Sequence, residues 1–386
     1  MAVLEGKHIL VGISGGIAAY KIPELIRLLV KAGADVRVTT TRNALQFVTD
    51  TTLRTLSGHT VYSDVFASVN AHATEHISLP EWADMMVVAP ATANVLCKMA
   101  AGIADDALTT TLAAMRKPVL IAPAMNDKMY DSPATQQALR TLSQWPNITL
   151  LDCAEGPLAC GTTGKGRMQE PEAIFEAIHG VLTPKTLTGK RIVITAGPTI
   201  EKLDPVRYIS NFSTGKMGRA IAQECIRRGA QVTLIMGQMS ARQMCEQAVE
   251  AFQQADIAIL AAAVADYRPV VEQEHKIKKQ SHSTTMSLEL IENPDIAATL
   301  GQIKQPHQQV IGFALETDHE VENAQHKMDK KNMDMIVLNS LRDTGAGFGY
   351  DTNKVTLLFR DGTQKDYPLL SKEAVAQVII DNISLS

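Results

Sequence analysis

Short apolar runs that alternate with helical patterns constrain the fold of this chain more than any other feature. The runs are rich in Val, Ile and Leu and lack a strict alternation with polar residues, which predicts strands buried on both faces. Their alternation with helical patterns predicts parallel sheets with crossover helices. The predicted strands are residues 8–14, 35–41, 85–91, 119–124, 148–151, 191–196, 231–236, 257–262, 309–313, 335–338 and 354–359.

The 386 residues exceed what one hydrophobic core usually supports, so we expect two domains. Residues 183–190 contain a proline, a glycine and three threonines without an apolar period, which is typical of a linker. Residues 189–194 then echo residues 6–11 as the same architecture restarts. We predict an α/β protein of two doubly wound, Rossmann-like domains, at residues 1–187 and 188–386.

Composition excludes several classes of protein. A net charge of −4 and an aromatic content of 4% give no electrostatic or stacking case for nucleic acid. No apolar run has the length of a membrane span, and the first residues lack a signal-peptide pattern. Five cysteines without a Cys-x-x-Cys pair argue against a disulfide framework or zinc site and fit a cytoplasmic protein without a membrane partner.

A turn of small residues after the first strand predicts a phosphate site. Residues 12–18 include Ser14, Gly15 and Ile17 and precede a helix, where backbone N–H groups can approach a phosphate. The dinucleotide pattern Gly-x-Gly-x-x-Gly is absent, and the second strand ends at Thr41 instead of an acidic residue. This favours FMN over NAD; a plain turn with a helix cap is the alternative.

Further polar residues follow other strands or lie on a loose loop. Asn94 and Asn126 come just after strands, where ligands bind in open α/β sheets. Each can equally cap a turn, and His76 by itself is a common solvated histidine. Cys160 lies in the glycine-rich segment 156–168, which is either a lid that delivers a proton or nucleophile or an ordinary surface loop.

Taken in order, these motifs resemble the phosphopantothenoylcysteine decarboxylase family of flavin-dependent cysteine decarboxylases. The resemblance covers nearly all of the first half and implies a flavodoxin-like domain that binds FMN through Ser14, Gly15, Ile17, Thr41, Thr92 and Asn94. Two positions depart from the family pattern: Val95 stands where Thr is frequent, and Tyr130 where Trp is frequent. Either departure could alter flavin packing, but neither removes a catalytic group.

The resemblance also implies a mechanism. The terminal cysteine of the substrate is oxidised to a thioaldehyde-like group with FMN as acceptor, its carboxylate then leaves as CO2, and the enethiolate is reduced and protonated. His76 would act as base or electrostatic partner, Asn126 would bind the carboxylate, and Cys160 would give the final proton.

The second half carries a different set of motifs. A turn at residues 197–199 is followed by the polar stretch 204–218, which opens a helix predicted at residues 219–228. Ser213 and Thr214 can cap that helix, whose N-terminus can hold an anion. The spacing is not that of a P-loop, which disfavours a kinase or P-loop ATPase.

Charged residues follow the next strand of the second half. Asp266 ends that strand, and residues 275–279 place Lys276 among three lysines, as a triphosphate clamp or a solvated face. Lys327 and Lys331 share a helix face at a spacing of four, which can serve one anion but is also common on surfaces.

These motifs resemble the phosphopantothenate–cysteine ligase family, and both halves together resemble the fused bacterial enzymes of coenzyme A synthesis. The resemblance implies that 4′-phosphopantothenate reacts with CTP to an acyl-cytidylate, which cysteine then attacks. Mg²⁺ (or Mn²⁺), with metal ligands unknown, would neutralise phosphate charge. Lys276 would serve acyl-cytidylate formation, and Asn211 would position the intermediate. The implied nucleotide site also contains Asp266, Pro294, Asp295, Ile296, Ala297, Phe313, Lys327 and Lys331.

Two other readings stay open at this point. The chain could be a flavin or NAD oxidoreductase with an accessory domain, or a non-enzymatic regulatory subunit built on a flavin domain. The resemblance further implies a homo-oligomer in which flavin domains form trimers and ligase domains form dimers, combined in a dodecamer.

Overall fold

The computed structural model describes residues 3–66, 74–157, 163–278, 285–316, 319–340 and 349–384. The chain divides into two compact units, Met1–Thr183 and Pro184–Ser386. Throughout the described ranges, no helix is long and apolar enough to cross a membrane. The four cysteines among them, Cys97, Cys153, Cys225 and Cys245, are all free thiols, as expected from the absence of a disulfide pattern.

The first unit alternates strands and helices from its first element onward. Two short 3-10 helices, Ile17–Lys21 and Arg42–Gln46, follow the first two strands. The other elements are β1 (His8–Ile13), α1 (Ile22–Lys31), β2 (Asp35–Thr40), α2 (Asp50–Ser57), β3 (Val61–Tyr62), α3 (Glu75–Trp82), β4 (Met85–Ala91), α4 (Ala93–Ala101), α5 (Ala107–Ala114), β5 (Val119–Pro123), α6 (Asp127–Tyr130), α7 (Pro133–Ser143), β6 (Ile148–Leu150), β7 (Ala154–Pro157), β8 (Thr163–Arg167) and α8 (Pro171–Leu182).

Six parallel strands form the central sheet of this unit in the order β3-β2-β1-β4-β5-β6. Ile9 and Val11 of β1 pack into one apolar cluster and Leu10 into another, so the strand is buried on both faces as predicted. The doubly wound fold is confirmed. Its strand order is that of the Rossmann fold, in which the order reverses between β1 and β4.

The second unit combines a large sheet with small ribbons that the apolar pattern did not predict. Its elements are β9 (Arg191–Pro198), β10 (Ile200–Lys202), β11 (Tyr208–Ser210), α9 (Lys216–Arg227), β12 (Gln231–Met236), α10 (Ala241–Phe252), β13 (Ile257–Ala263), β14 (Tyr267–Pro269), β15 (Leu290–Glu292), α11 (Ile296–Ile303), β16 (Gln309–Glu316), α12 (Glu320–Lys330), β17 (Met335–Ser340), β18 (Thr352–Asn353), β19 (Val355–Phe359), β20 (Gln364–Asp366), β21 (Leu370–Ser371) and α13 (Lys372–Asp381).

The large sheet has the order β12-β9-β13-β16-β17-β19-β20. Its five parallel strands follow the flavodoxin order 2-1-3-4-5. The expectation that all strands run parallel is wrong at one edge, because β19 pairs with β17 in the antiparallel direction and continues into β20. The order of the strands reverses between β9 and β13, where a ligand site is expected.

The helix predicted after the polar stretch begins earlier than expected. Helix α9 starts at Lys216, and its N-cap is Gly215 in a left-handed conformation (φ 74°), without a side-chain cap. Ser213 accepts only a long hydrogen bond, 3.4 Å, from the Gly215 N–H. The prediction that Ser213 and Thr214 cap this helix is therefore wrong, because only glycine adopts the required backbone conformation without strain.

Candidate active sites

The first unit has a cavity of about 730 Å³ at the carboxyl ends of β1, β4 and β5. Five of the residues predicted from sequence line it: Gly15, Ile17, Thr92, Asn94 and Asn126. The cavity lies where the strand order reverses in the sheet, which is the place where ligands bind in open α/β sheets. The structure thus brings together motifs that are far apart in sequence.

Ser14 and Thr41 are buried and do not line this cavity. The Ser14 hydroxyl donates to the Pro90 carbonyl at 2.7 Å and accepts from the Thr92 N–H at 3.1 Å, so it joins the ends of β1 and β4. The Thr41 hydroxyl is buried and has no hydrogen-bond partner. A buried hydroxyl without a partner is costly, and a bound phosphate or ribityl group would satisfy it.

Two glycines let the backbone come close to this cavity. A Cβ on Gly15 would lie 2.5 Å from the Cβ of Asn43 and 3.0 Å from its carbonyl carbon. A Cβ on Gly166 would lie 2.3 Å from the Met125 carbonyl oxygen, and Gly166 has φ 141°. The tight turn and the orphaned Thr41 hydroxyl fit a flavin mononucleotide.

Asn126 is oriented by the helix that follows it. Its Oδ1 accepts from the Lys128 N–H at 2.9 Å as the N-cap of α6, so the amide Nδ2 carries the donor hydrogens. His76 lies half-buried in the first turn of α3. Val95 is buried in α4 and Tyr130 ends α6. Cys160 lies outside the described residues, between the paired strands β7 and β8.

Cys153 is the described cysteine nearest to Cys160 in sequence. It is buried, lies 3.6 Å from the Pro123 carbonyl oxygen, and its pKa is raised to about 11, chiefly by burial and further by Asp152. Its thiol therefore stays protonated and unreactive near neutral pH. Cys153 does not compete with Cys160 for the predicted role.

Sequence reasoning missed a charged cluster beside this cavity. Lys21 and Arg167 both line the cavity, and both bind the carboxylate of Glu170. The Lys21 Nζ lies 2.9 and 2.8 Å from the two carboxylate oxygens, and the Arg167 Nη2 lies 2.5 Å from one of them. A lysine directly after the glycine turn was the available signal, but its carboxylate partner is far away in sequence.

The second unit has a cavity of about 540 Å³ at the carboxyl ends of β13 and β16. Nine residues were predicted for a nucleotide site, and all of them except Lys276 line this cavity: Asp266, Pro294, Asp295, Ile296, Ala297, Phe313, Lys327 and Lys331. The structure also adds Tyr267 and Asn293 to the lining, which the prediction did not include. Asn293 donates to the Ala265 carbonyl at 2.8 Å and so shapes the floor of the site.

An ion pair crosses the wall of this second cavity. The Lys331 Nζ lies 2.8 Å from Asp295 Oδ2, and Asp295 also caps α11 by accepting from the Ala298 N–H at 3.0 Å. Burial acts to raise the pKa of Asp295, but the hydrogen bonds from Lys331 and Ala298 outweigh it, so the pKa lies below its ordinary value. Lys331 is thereby held in a fixed place at the edge of the cavity.

Asn211 and Lys276 do not line this cavity. The Asn211 amide donates to the Ala263 carbonyl at 3.1 Å, at the end of β13, so it lies beside the cavity wall. Lys276 is exposed on the segment that follows β14, and Lys279 of the same lysine run lies outside the described residues. In the part of the chain that the structure describes, no group of three or more His, Cys, Asp or Glu side chains could hold a metal ion.

Comparison with known proteins assigns both halves. Residues 2–183 match the family described as Flavoprotein, and residues 187–385 match the DNA/pantothenate metabolism flavoprotein C-terminal domain. The coenzyme A biosynthesis bifunctional protein of Bacillus subtilis (strain 168) is 44% identical, over 99% of this chain and 98% of that protein. The chain belongs to the family of coenzyme A biosynthesis bifunctional proteins.

Other similar proteins match this chain over most or about half of its length. A cysteine/cysteine sulfinic acid decarboxylase from an unknown prokaryotic organism is 45% identical over 87% of this chain and 98% of that protein. The crystal structure of the C-terminal domain of a coenzyme A biosynthesis bifunctional protein is 40% identical, covers 50% of this chain and 94% of that domain, and has a TM-score of 0.42. The predicted family, a flavoprotein joined to a ligase, is confirmed by these matches.

Proposed function

We propose that the two halves catalyse consecutive steps of coenzyme A biosynthesis. Residues 188–386 join cysteine to 4′-phosphopantothenate at the expense of CTP, and residues 1–187 convert the product to 4′-phosphopantetheine. The observation that supports this most is the full-length similarity to bifunctional proteins, together with one cavity at the carboxyl ends of the parallel strands of each sheet.

In the first unit, Ser14, Gly15, Ile17, Thr41, Thr92 and Asn94 would hold FMN, which when bound supplies a two-electron acceptor and donor. Asn126 donates its amide hydrogens to the carboxylate of the substrate, while its Oδ1 stays with the Lys128 N–H. His76 takes the proton of the substrate thiol, and Cys160 gives a proton to the reduced product. The substrate carboxylate leaves as CO2.

In the second unit, Asp266, Lys327, Lys331 and their neighbours in the cavity wall bind CTP. Lys276 stabilises charge on the α-phosphate as the carboxylate of 4′-phosphopantothenate attacks it and pyrophosphate leaves. Asn211 holds the acyl-cytidylate while the cysteine amine attacks and CMP leaves. Mg²⁺ would neutralise charge on the nucleotide phosphates, since Mg²⁺ is often held by one or two carboxylates plus substrate phosphates.

The test uses the purified full chain with CTP, 4′-phosphopantothenate and cysteine labelled in its carboxyl carbon. We expect a flavin absorption spectrum, pyrophosphate release that requires CTP, and labelled CO2 that requires all three substrates. Labelled CO2 from cysteine alone would instead make cysteine the substrate of the flavin unit. A chain without flavin and without pyrophosphate release would refute the proposal.

We also propose that the chain assembles through flavin-unit trimers and ligase-unit dimers into a dodecamer. Closed point-group symmetry makes such a combination possible, since three-fold and two-fold contacts can coexist in one assembly. Mass measurement by light scattering at several protein concentrations tests it. A mass that corresponds to a monomer at all concentrations would refute it.

A further inference from the structure

A buried carboxylate in the second unit lies beside the main chain of the lysine segment. The Asp204 side chain is fully buried. Its Oδ1 accepts from the N–H groups of Val206 and Arg207, at 2.8 and 2.9 Å. Its Oδ2 accepts from Nε and Nη2 of Arg207, at 3.0 and 2.5 Å, and from the Ile277 N–H at 3.1 Å. All five of these hydrogen bonds come from N–H groups of the protein.

The main chain of Ile277 is held through both its N–H and its carbonyl group. Its N–H donates to Asp204, and its carbonyl accepts from the Arg207 Nη2 at 2.8 Å. A further backbone hydrogen bond, from the Gln273 N–H to the Leu203 carbonyl at 3.0 Å, ties the same segment down four residues earlier. The side chains of Lys276 and Lys278, on either side of Ile277, are exposed. Two exposed cations therefore extend from a main chain that is anchored between them.

The carboxyl group of Asp204 is ionised in the folded protein. The hydrogen bond from Arg207 holds the pKa of Asp204 well below its ordinary value, and the backbone N–H groups add to this effect, against the opposing effect of burial. The side chain is an anion at any pH at which the protein works. A planar guanidinium can bind this carboxylate through two nitrogens and still reach the Ile277 carbonyl, which a lysine ammonium cannot do with the same geometry.

We propose that Asp204 is a positioning residue of the ligase: together with Arg207 it fixes the peptide of Ile277 and so directs Lys276 toward the transferring phosphoryl group. This inference rests on the proposed function, which gives Lys276 its role in acyl-cytidylate formation. Asp204 acts through the main chain and touches no substrate. Positioning of this kind matters because a misplacement of ~1 Å can lower a rate by roughly 100-fold.

The test compares steady-state pyrophosphate release and hydrogen exchange of the backbone amides in full-length variants. Asp204→Asn keeps the size of the side chain but loses the charge and replaces an acceptor oxygen with a donor. We expect kcat to fall by about tenfold or more, the KM for CTP to stay within about twofold, and the Ile277 amide to exchange faster. Arg207→Lys keeps the positive charge but cannot bind Asp204 and the Ile277 carbonyl at the same time, so it should also lower kcat. This second variant keeps the inference testable if Asp204→Asn does not fold.

Asp381→Asn is the matched control, since it removes another arginine–aspartate pair, from Arg228 at 2.6 Å, elsewhere in the same unit. It should leave kcat unchanged, and labelled CO2 release from added phosphopantothenoylcysteine should be normal in all three variants. The inference is overturned if kcat stays normal while Ile277 exchanges faster, or if Asp381→Asn lowers kcat equally.

Failure of the underlying function has a different signature. Normal pyrophosphate release by Lys276→Gln would refute the role of Lys276, whatever Asp204→Asn does. Absence of pyrophosphate release by the unaltered chain would refute the ligase function itself. A loss of kcat in Asp204→Asn together with loss in Lys276→Gln and a normal control supports the positioning role.

Discussion

At the scale of single residues, the candidate site of the first unit depends on a glycine with little room around it and on an asparagine whose oxygen is held by the main chain. Gly15 allows the turn after β1 to pass within contact distance of Asn43, and Asn126 presents its amide because α6 occupies its oxygen. A change of one or two atoms at these positions is therefore expected to matter.

Gly15→Ala should remove the flavin. The added Cβ would lie 3.0 Å from a backbone carbon of Asn43, which cannot move without distorting the turn. Such overpacking costs about 1–3 kcal/mol, enough to weaken flavin binding by roughly tenfold or more. Flavin absorbance per chain after gel filtration measures the effect. Gly180→Ala in α8 is the control, because its Cβ meets nothing within 4 Å and should leave the flavin content unchanged.

Asn126→Asp should lower the rate of decarboxylation without unfolding the protein. Aspartate is as good an N-cap as asparagine, so α6 is retained, but the new charge repels the substrate carboxylate and no N–H remains to bind it. Loss of a hydrogen bond to a charged group costs about 1.5–3 kcal/mol, so we expect kcat/KM to fall at least about tenfold. CO2 release from phosphopantothenoylcysteine is the measurement. Asn147→Asp is the control, because Asn147 lies at the amino end of β6, away from the cavity, and this variant should behave like the unaltered chain. Equal activity of the two variants would contradict the role of Asn126.

At the scale of elements, Glu170 joins parts of the first unit that are distant in sequence. It precedes α8 and binds Arg167 at the end of β8 and Lys21 at the end of the first 3-10 helix. The hydrogen bond from Lys21 lowers the pKa of Glu170, and Arg167 adds to this effect against a smaller effect of burial. The hairpin β7–β8 is thereby attached to the wall of the flavin cavity.

Because the pKa of Glu170 is lower in the folded protein, its contribution is complete above the ordinary glutamate pKa of 4.5 and is lost as the pH falls through the folded value. Glu170→Gln should release flavin a few-fold more readily at pH ~7, a difference of about 1 kcal/mol at most, since the carboxylate is half exposed. At pH values below the lowered pKa of Glu170 in the folded protein, the two proteins should converge. Flavin fluorescence during dilution at each pH measures the release. Glu155→Gln, which breaks an exposed 3.9 Å pair on the same hairpin, should have no effect.

At the scale of the whole molecule, two separate cavities imply that each activity can be lost without the other. We expect Lys276→Gln to keep the decarboxylase and Cys160→Ser to keep the ligase, while Cys160→Ser should still release CO2 but stall at the oxidised enethiol product. A mixture of the two variants should form 4′-phosphopantetheine from CTP, 4′-phosphopantothenate and cysteine, because phosphopantothenoylcysteine can pass between chains. Product formation followed by mass spectrometry tests this. If the mixture forms no product while each variant keeps its remaining activity, the intermediate does not leave the chain that made it.

The amino-acid sequence alone determined most strands of the two central sheets, the α/β class and the positions of most candidate site residues. Runs of Val, Ile and Leu report local burial on both faces, and the carboxyl ends of parallel strands share one edge, so motifs after strands converge whatever the strand order. That is why Thr92, Asn94 and Asn126 line one cavity and Asp266, Phe313 and Lys327 the other.

Only the tertiary structure decided the strand orders and the charged clusters. Periodicity carries no information about which strands pair, so it could not show that the Rossmann order belongs to the first unit and the flavodoxin order to the second. Glu170 meets Lys21 across 149 positions, and Asp204 meets Ile277 across 73. Such contacts depend on long-range packing, which brings together residues whose local patterns are unrelated.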